Sequence, residues 1–335
     1  MKFTSRIAIR HLRSRHSFGF ISFSTILSIV GLAIGVASLI IISSISTGFF
    51  NLVNYKLSGI DGHMRIHSYI SDRMTIDQIA EYDERIWKIS NAIVATSPYI
   101  KKNAIVRKGG KTEGIILYGI PDNALNSIFQ LHRFSKDSST FLSDNSIIIG
   151  SKLANLINVG VGDNMIMMNV EKMEKDKILY AKNIIVSQIF QTDFPEYDRL
   201  LAFMPYHSVS NFFSMDRAAT GLLINIDSPE NTERIKDIID QQIDLYPNVI
   251  TTWKERHANL LKWLTLYDLP IKLIMLFITA VGIFNIAASL WMIVVEKTKE
   301  FGILVSMGMD INKIQVIILK EGAYIGVIGA ICGVV

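Results

Sequence analysis

Residues Ile271–Asp310 read IKLIMLFITAVGIFNIAASLWMIVVEKTKEFGILVSMGMD. From Ile271 to Val295 the stretch carries no charge apart from Lys272 at its start, and is otherwise apolar but for Thr279, Asn285 and Ser289. About 25 residues at roughly 1.5 Å each cover the ~30 Å hydrocarbon core of a bilayer. The span then runs into Glu-Lys-Thr-Lys-Glu at 296–300 and a part-apolar tail that ends at Asp310. That second piece is too charged and too short to cross. It reads as a segment lying on the membrane face, where another protein can push it.

The whole chain fits this mixture. It has 335 residues, 50% hydrophobic and only 19% charged, with a mean hydropathy of +0.32. This is too greasy for an ordinary soluble domain and too polar for a protein made only of spans. A net charge of +4 without a long basic run gives no sign of nucleic acid binding. One cysteine, Cys332, excludes an intrachain disulfide and a cysteine-based metal site.

Outward from the second span, the N-terminus comes first. Residues 1–18 open with Lys2, Arg6, Arg10, Arg13 and Arg15 and no acid; Phe3, Ile7 and Leu12 share a helical face. This predicts an amphipathic helix on the cytoplasmic surface. No Asp, Glu, Lys or Arg occurs from His16 to Tyr55. That is longer than the apolar part of a signal peptide, so residues 19–58 read as a retained first transmembrane helix with a stalk. The arginines hold its start in the cytoplasm. Ser24, Ser28, Gly31, Gly35 and Ser38 recur at three- and four-residue steps, a face suited to close helix packing in lipid.

Residues 59–253 contain no further span, so they lie outside the cytoplasm as an α+β domain. Strands are expected at His63–Tyr69, Ala92–Arg107, Lys111–Tyr118, Gly221–Ile226 and Val249–Trp253, with helices at Thr75–Ile89 and Pro229–Ile243. Strand–helix–strand–strand followed by strand–helix–strand predicts a ferredoxin-like part, 59–120 with 214–253, interrupted by an inserted subdomain, 121–213. Inside the insertion, Glu171–Tyr180 is a charged tip between two strands, an ordinary solvated hairpin by its residues alone. Residues 254–296 give a second stalk and span, with Pro270 marking a kink or junction. Residues 297–313 form the cytoplasmic segment. Residues 314–335 form a third span that carries Lys320 and Glu321, and the chain stops while still apolar, as a truncated sequence would.

Catalysis finds little support. Gly110-Lys-Thr112 resembles the end of a phosphate loop, but Ile105 stands where that loop needs glycine, and a strand follows instead of a helix. His63 and His67 lie on one strand-like stretch without a third ligand and read as surface histidines. Asp193, Glu196 and Asp198 cluster around Pro195 as a turn. No catalytic or metal-binding residue is assigned.

Several stretches resemble one family. VGIFNIAASL at Val281–Leu290 and VEKTKEFGILVSMG at Val295–Gly308 resemble the second span and coupling region of the lipoprotein-releasing ABC transporter permeases, the LolC/LolE family. So do RHLRSR at Arg10–Arg15, FISFS at Phe20–Ser24 and GVASLI at Gly35–Ile40. GSKLA at Gly150–Ala154, VGD at Val161–Asp163, QIF at Gln188–Phe190 and EYD at Glu196–Asp198 resemble the family's outer domain. The span–coupling pattern is shared with the wider MacB/FtsX-like permeases.

The resemblance implies a MacB-like (type VII) ABC permease: membrane α-helical, with a large extracytoplasmic α+β domain and four spans, of which the fourth is missing here. It implies a multi-pass protein of the bacterial inner membrane with its large domain in the periplasm. It implies no cofactor in this chain, because ATP and Mg belong to a separate ABC ATP-binding subunit. That partner would press on Glu300, Phe301, Ile303, Leu304, Met307 and Gly308. A second permease subunit, identical or different, would complete a cavity for acylated lipoprotein among membrane lipids, walled by Ile40, Ile41, Ile45 and Asn285. Asn285 reads equally as a helix–helix hydrogen-bonding residue. Cargo would pass to a periplasmic lipoprotein carrier, which a projecting hairpin hooks in one permease type; Glu171, Lys172, Lys175, Lys177 and Tyr180 occupy that place, in a tip that is short and lacks proline. Two other functions stay open. One is a MacB/FtsX-like mechanotransmission permease for efflux or cell-wall hydrolase control. The other is an adhesion or sensor protein, which has no need of a segment such as Glu296–Gly308.

Overall fold

The computed structural model describes residues 19–134, 143–172 and 180–335, and side chains from residue 25 onward. The amphipathic helix expected at 1–18 lies outside the described residues. The chain divides into two units: Leu52–Ala258, and the flanking residues Met1–Asn51 with Asn259–Val335.

In chain order the elements begin with helix α1 (Gly19–Asp61), strands β1 (Met64–Ser68) and β2 (Met74–Thr75), helix α2 (Ile76–Ile89), and strands β3 (Ile93–Lys108) and β4 (Lys111–Ile120). Helix α3 (Asp122–Ser127), β5 (Ser146–Gly150), α4 (Ser151–Ile157), β6 (Asn164–Asn169) and β7 (Ala181–Phe190) follow. Next come α5 (Pro195–Leu200), β8 (Leu201–Pro205), α6 (Tyr206–Phe213), β9 (Ala218–Ala219) and β10 (Gly221–Ile226). The chain continues with α7 (Thr232–Gln242), β11 (Asn248–Thr252), α8 (Trp253–Arg256), α9 (Ala258–Ser306) and α10 (Ile311–Val334).

Within Leu52–Ala258, β11-β1-β10-β3 form an antiparallel sheet with the strand order of a ferredoxin-like split βαβ unit. Helices α2 and α7 cover one face, burying Ile79, Tyr82, Ile86, Ile235 and Ile239 against Met64, Ile66, Leu222, Ile224 and Ile250. A capping box fixes the start of α2: the Thr75 side chain accepts from the Gln78 backbone N–H, and the Gln78 side chain accepts from the Thr75 backbone N–H.

The insertion departs from the expected separate subdomain. β3 is 16 residues long. Its first half pairs with β10, and its second half pairs with β4 on one side and β6 on the other. With β4–β8, β8–β5, β5–β7 and β7–β6 the strands close a six-stranded ring. β4, read from sequence as part of the ferredoxin-like sheet, therefore belongs to this barrel. A strand of that length outruns its sheet, and closure satisfies the edge that would remain. Pro195 does not mark a mere turn; it opens α5.

The flanking unit consists of the long apolar helices. Three of the described helices are long and apolar enough to cross a membrane: the α1 stretch Thr25–Asp61, α9 and α10. Two expectations change. Pro270 makes no junction, since α9 runs through it as one helix of 49 residues; its ring leaves one backbone carbonyl there without its hydrogen bond, the condition for a kink. The segment from Glu296 to Ser306 is not a separate piece lying on a surface. It continues α9, since nothing in it stops a helix until Gly308.

Candidate functional site

The turn between α9 and α10 is built by two residues. Gly308 has φ +91°, the left-handed conformation that ends helices at low cost only for glycine. Gly308 N–H donates to the Val305 carbonyl at 2.9 Å and Met309 N–H to the Leu304 carbonyl at 3.0 Å, the paired bonds of a Schellman stop. Asp310 then caps α10 by accepting from Asn312 N–H at 3.1 Å. A glycine and an aspartate two residues apart thus turn the chain sharply between two apolar helices.

The sequence-selected coupling residues divide on this turn. Glu300, Ile303, Met307 and Gly308 are exposed, with Ile303 at 60% and Met307 at 79%. Leu304 is half-buried. Phe301 is 7% exposed and faces inward, so it is not a residue a partner can touch. On a continuous helix it falls on the packed side, which the picture of a surface-lying segment hid. Lys297 pairs with Glu300 one turn on.

The long helices meet through small residues. A Cβ on Gly31 would stand 2.2 Å from Asn285 Nδ2, one on Gly322 2.9 Å from Leu290 Cδ1, and one on Gly329 2.8 Å from Leu32 Cδ2. α1, α9 and α10 therefore touch pairwise at backbone range. Asn285 packs half-buried against α1. Ile40, Ile41 and Ile45 are exposed, the last at 67%. Glu321 is fully buried.

In the α+β unit the end of α1 is anchored. Leu57 and Ile60 are each 1% exposed, a burial worth about 1.5–3 kcal/mol per side chain. Asp61 follows, and its carboxylate is shared. Arg256 Nε donates to Asp61 Oδ2 at 2.7 Å, and Arg65 pairs with Oδ1. His257 Nε2 lies 3.2 Å from Oδ2, and the Tyr197 hydroxyl 3.0 Å from His257 Nε2. The other Arg256 nitrogens donate to the carbonyls of Asp61, Gly62 and Thr251. Burial pushes the Asp61 carboxyl up, but Arg256, Arg65 and His257 outweigh it and hold the group well below the usual carboxylate range. Burial pushes the neighbouring Tyr118 hydroxyl up to about 12. Sequence reasoning missed this cluster. Its members are scattered over nearly 200 positions, and only the fold gathers them.

The two histidines are not on the surface. His63 is 4% exposed and accepts a hydrogen bond at Nδ1 from Ile226 N–H, 3.0 Å. Burial lowers it to about 4. His67 is half-buried. Asp198 is buried, accepting from Thr192 N–H at 2.8 Å and Thr192 Oγ1 at 2.7 Å.

At the hairpin, Glu171 is 2.8 Å from the buried Lys102, Lys172 lies over the Tyr180 ring at 4.3 Å, and Tyr180 packs on Phe212. These three are fastened at the hairpin base. Lys175 and Lys177 lie outside the described residues.

Residues 25–242 match the family model described as the MacB-like periplasmic core domain. The chain belongs to this family. Beyond the MacB-like core, residues 272–335 match the FtsX-like permease C-terminal model. Among curated relatives, the lipoprotein-releasing system transmembrane protein LolC of Xylella fastidiosa (strain Temecula1) is 24% identical over 98% of this chain and 79% of its own length. LolC of Neisseria meningitidis serogroup B is 24% identical over 98% of this chain and 80% of its own. LolE of Haemophilus influenzae is 22% identical, again over 98% and 80%. The resemblance to the LolC/LolE permeases thus holds along nearly the whole of this MacB-like chain. The periplasmic region of MacB from Actinobacillus actinomycetemcomitans is similar with a TM-score of 0.39 at 13% identity, covering 61% of this chain and 95% of that one.

Proposed function

We propose that this MacB-like chain is the membrane permease subunit of an ABC transporter that extracts acylated lipoproteins from the bacterial inner membrane and hands them to a periplasmic carrier. A separate ATP-binding subunit supplies the ATP and Mg chemistry, and a second permease subunit completes the lipid-facing cavity. Leu52–Ala258 is the periplasmic part. The observation that carries the reading is helix α9, one helix of 49 residues that runs through an apolar stretch and into a charged, sharply turned tip. A rod without a break transmits a push that a flexible segment would absorb.

Extraction needs such a drive. Exposing lipid costs about 0.8 kcal/mol per CH₂, so several acyl chains are not lifted by thermal motion. The exposed Ile303 and Met307 are where the ATPase presses, and Ile40, Ile41 and Ile45 offer an apolar wall. With the chain reconstituted beside its ATPase, Ile303→Asp with Met307→Asp should abolish lipoprotein release while leaving the permease folded. Unchanged release would refute the proposal.

A further inference from the structure

Opposite the face that α2 and α7 cover, the ferredoxin-like sheet holds a cavity of about 400 Å³. Arg65 and His67 alternate with the core residues Met64 and Ile66 along β1, so both side chains point to this face. Thr251 is the cross-strand partner of Arg65 on β11. Gly221, paired with both His67 and Tyr99, puts no side chain between them, which leaves the space open. Lys101 and Arg256 complete the wall.

Three buried side-chain atoms on this wall have no hydrogen-bond partner: Arg65 Nε, His67 Nδ1 and Thr251 Oγ1. Leaving such groups unmet costs about 1–3 kcal/mol each, more where the group is charged. Arg65 is only 6% exposed. The charge balance has one sign. Arg65, Arg256 and Lys101 face Asp61 and Glu255, and Glu255 is itself taken up by Lys236. Burial lowers both Lys101 and His67, and Arg65 pushes each in the same direction, as expected where positive charge is in excess. Neutral His67 offers one ring nitrogen as donor or acceptor.

We propose that this cavity binds a phosphate group, either free or carried by a phosphate ester such as a phospholipid headgroup. A guanidinium, a hydroxyl and a lysine side chain on three strands of the sheet line the cavity, a donor set suited to the oxygens of a phosphate. The cavity lies wholly within Leu52–Ala258, and its occupancy does not depend on lipoprotein release.

The test titrates the full chain in an uncharged detergent, at constant ionic strength, by calorimetry. One arm adds inorganic phosphate and the other adds monomeric dihexanoylphosphatidylglycerol. Arg65 also holds Asp61, so the variants are Lys101→Gln and Thr251→Val. The expected result is saturable binding that weakens about tenfold in Lys101→Gln, with an unchanged unfolding temperature. Binding of phosphate alone assigns a soluble anion; displacement by the lipid assigns a headgroup. No saturable binding in either arm, or equal affinity in both variants and the parent, overturns the proposal.

Discussion

Arg256 Nε donates to Asp61 Oδ2 at 2.7 Å, joining residues 195 positions apart. Asp61 is the last residue of α1, and Arg256 stands two residues before α9. The two points where the long helices enter the α+β unit are therefore tied to each other by a buried ion pair.

Removing the shared carboxylate should be severe. Asp61→Asn leaves Arg65 and Arg256 buried without their counter-charge, a loss of about 3–5 kcal/mol. Thermal unfolding of the solubilised chain reads it. Glu84→Gln is the control, because its 2.6 Å pair with Lys88 is exposed on both sides and solvent screens it. Equal losses in the two variants would mean the buried cluster holds nothing together.

Stability should fall on mild acidification. His63 is held at about 4 in the fold against an ordinary 6.5. Between those values the unfolded chain binds the extra proton, so stability rises with pH there. It is fully present above about 6.5 and is lost as pH falls toward 4, by an amount on the order of 3 kcal/mol. His67, also lowered, adds to the same slope. Asp61 adds a further loss only below the usual carboxylate range. His63→Gln should flatten the unfolding temperature across this window; an identical slope would exclude His63 as its source.

Helix contact should respond to single methyl groups. Gly31→Ala puts a Cβ 2.2 Å from Asn285 Nδ2, so the Asn285 side chain must swing aside, at a cost below the about 1–3 kcal/mol of an overpacked rigid core. Asn285→Ala in the same chain should restore most of the loss, since it removes the atom struck. Two losses that simply add, in a double-mutant cycle of unfolding temperatures, would place the residues apart.

The tip of α9 should be separable from overall stability. Gly308→Ala puts a side chain at φ +91°, at a local cost of roughly 1–2 kcal/mol. On the transport reading, release per ATP hydrolysed should drop by far more than the loss of a few degrees in unfolding temperature that this cost implies. A variant that releases cargo at the parental ratio would show that the sharp turn is not needed.

The sequence by itself determined the elements whose cause is local. An apolar run long enough for a bilayer, as at Ile271–Val295, has few other uses. The period-two and period-3.6 patterns placed β1, α2, β3, β10 and α7 within a few residues of where they lie, because burying one face demands that spacing. The helix stop at Gly308 and the cap at Asp310 are local signals that the reading of a separate surface segment passed over. Tertiary structure alone decided the rest. The ring closed on β3, the strand Leu201–Pro205 and the fastening of Glu171 to Lys102 all depend on partners distant in sequence. Which side of α9 is packed, and hence that Phe301 is inside and Ile303 outside, depends on neighbours that no spacing names. The meeting of Asp61 with Arg65, Arg256 and His257 is of the same kind: a buried charge is tolerated only where the whole fold delivers its counter-charges, and no short window of residues records that delivery.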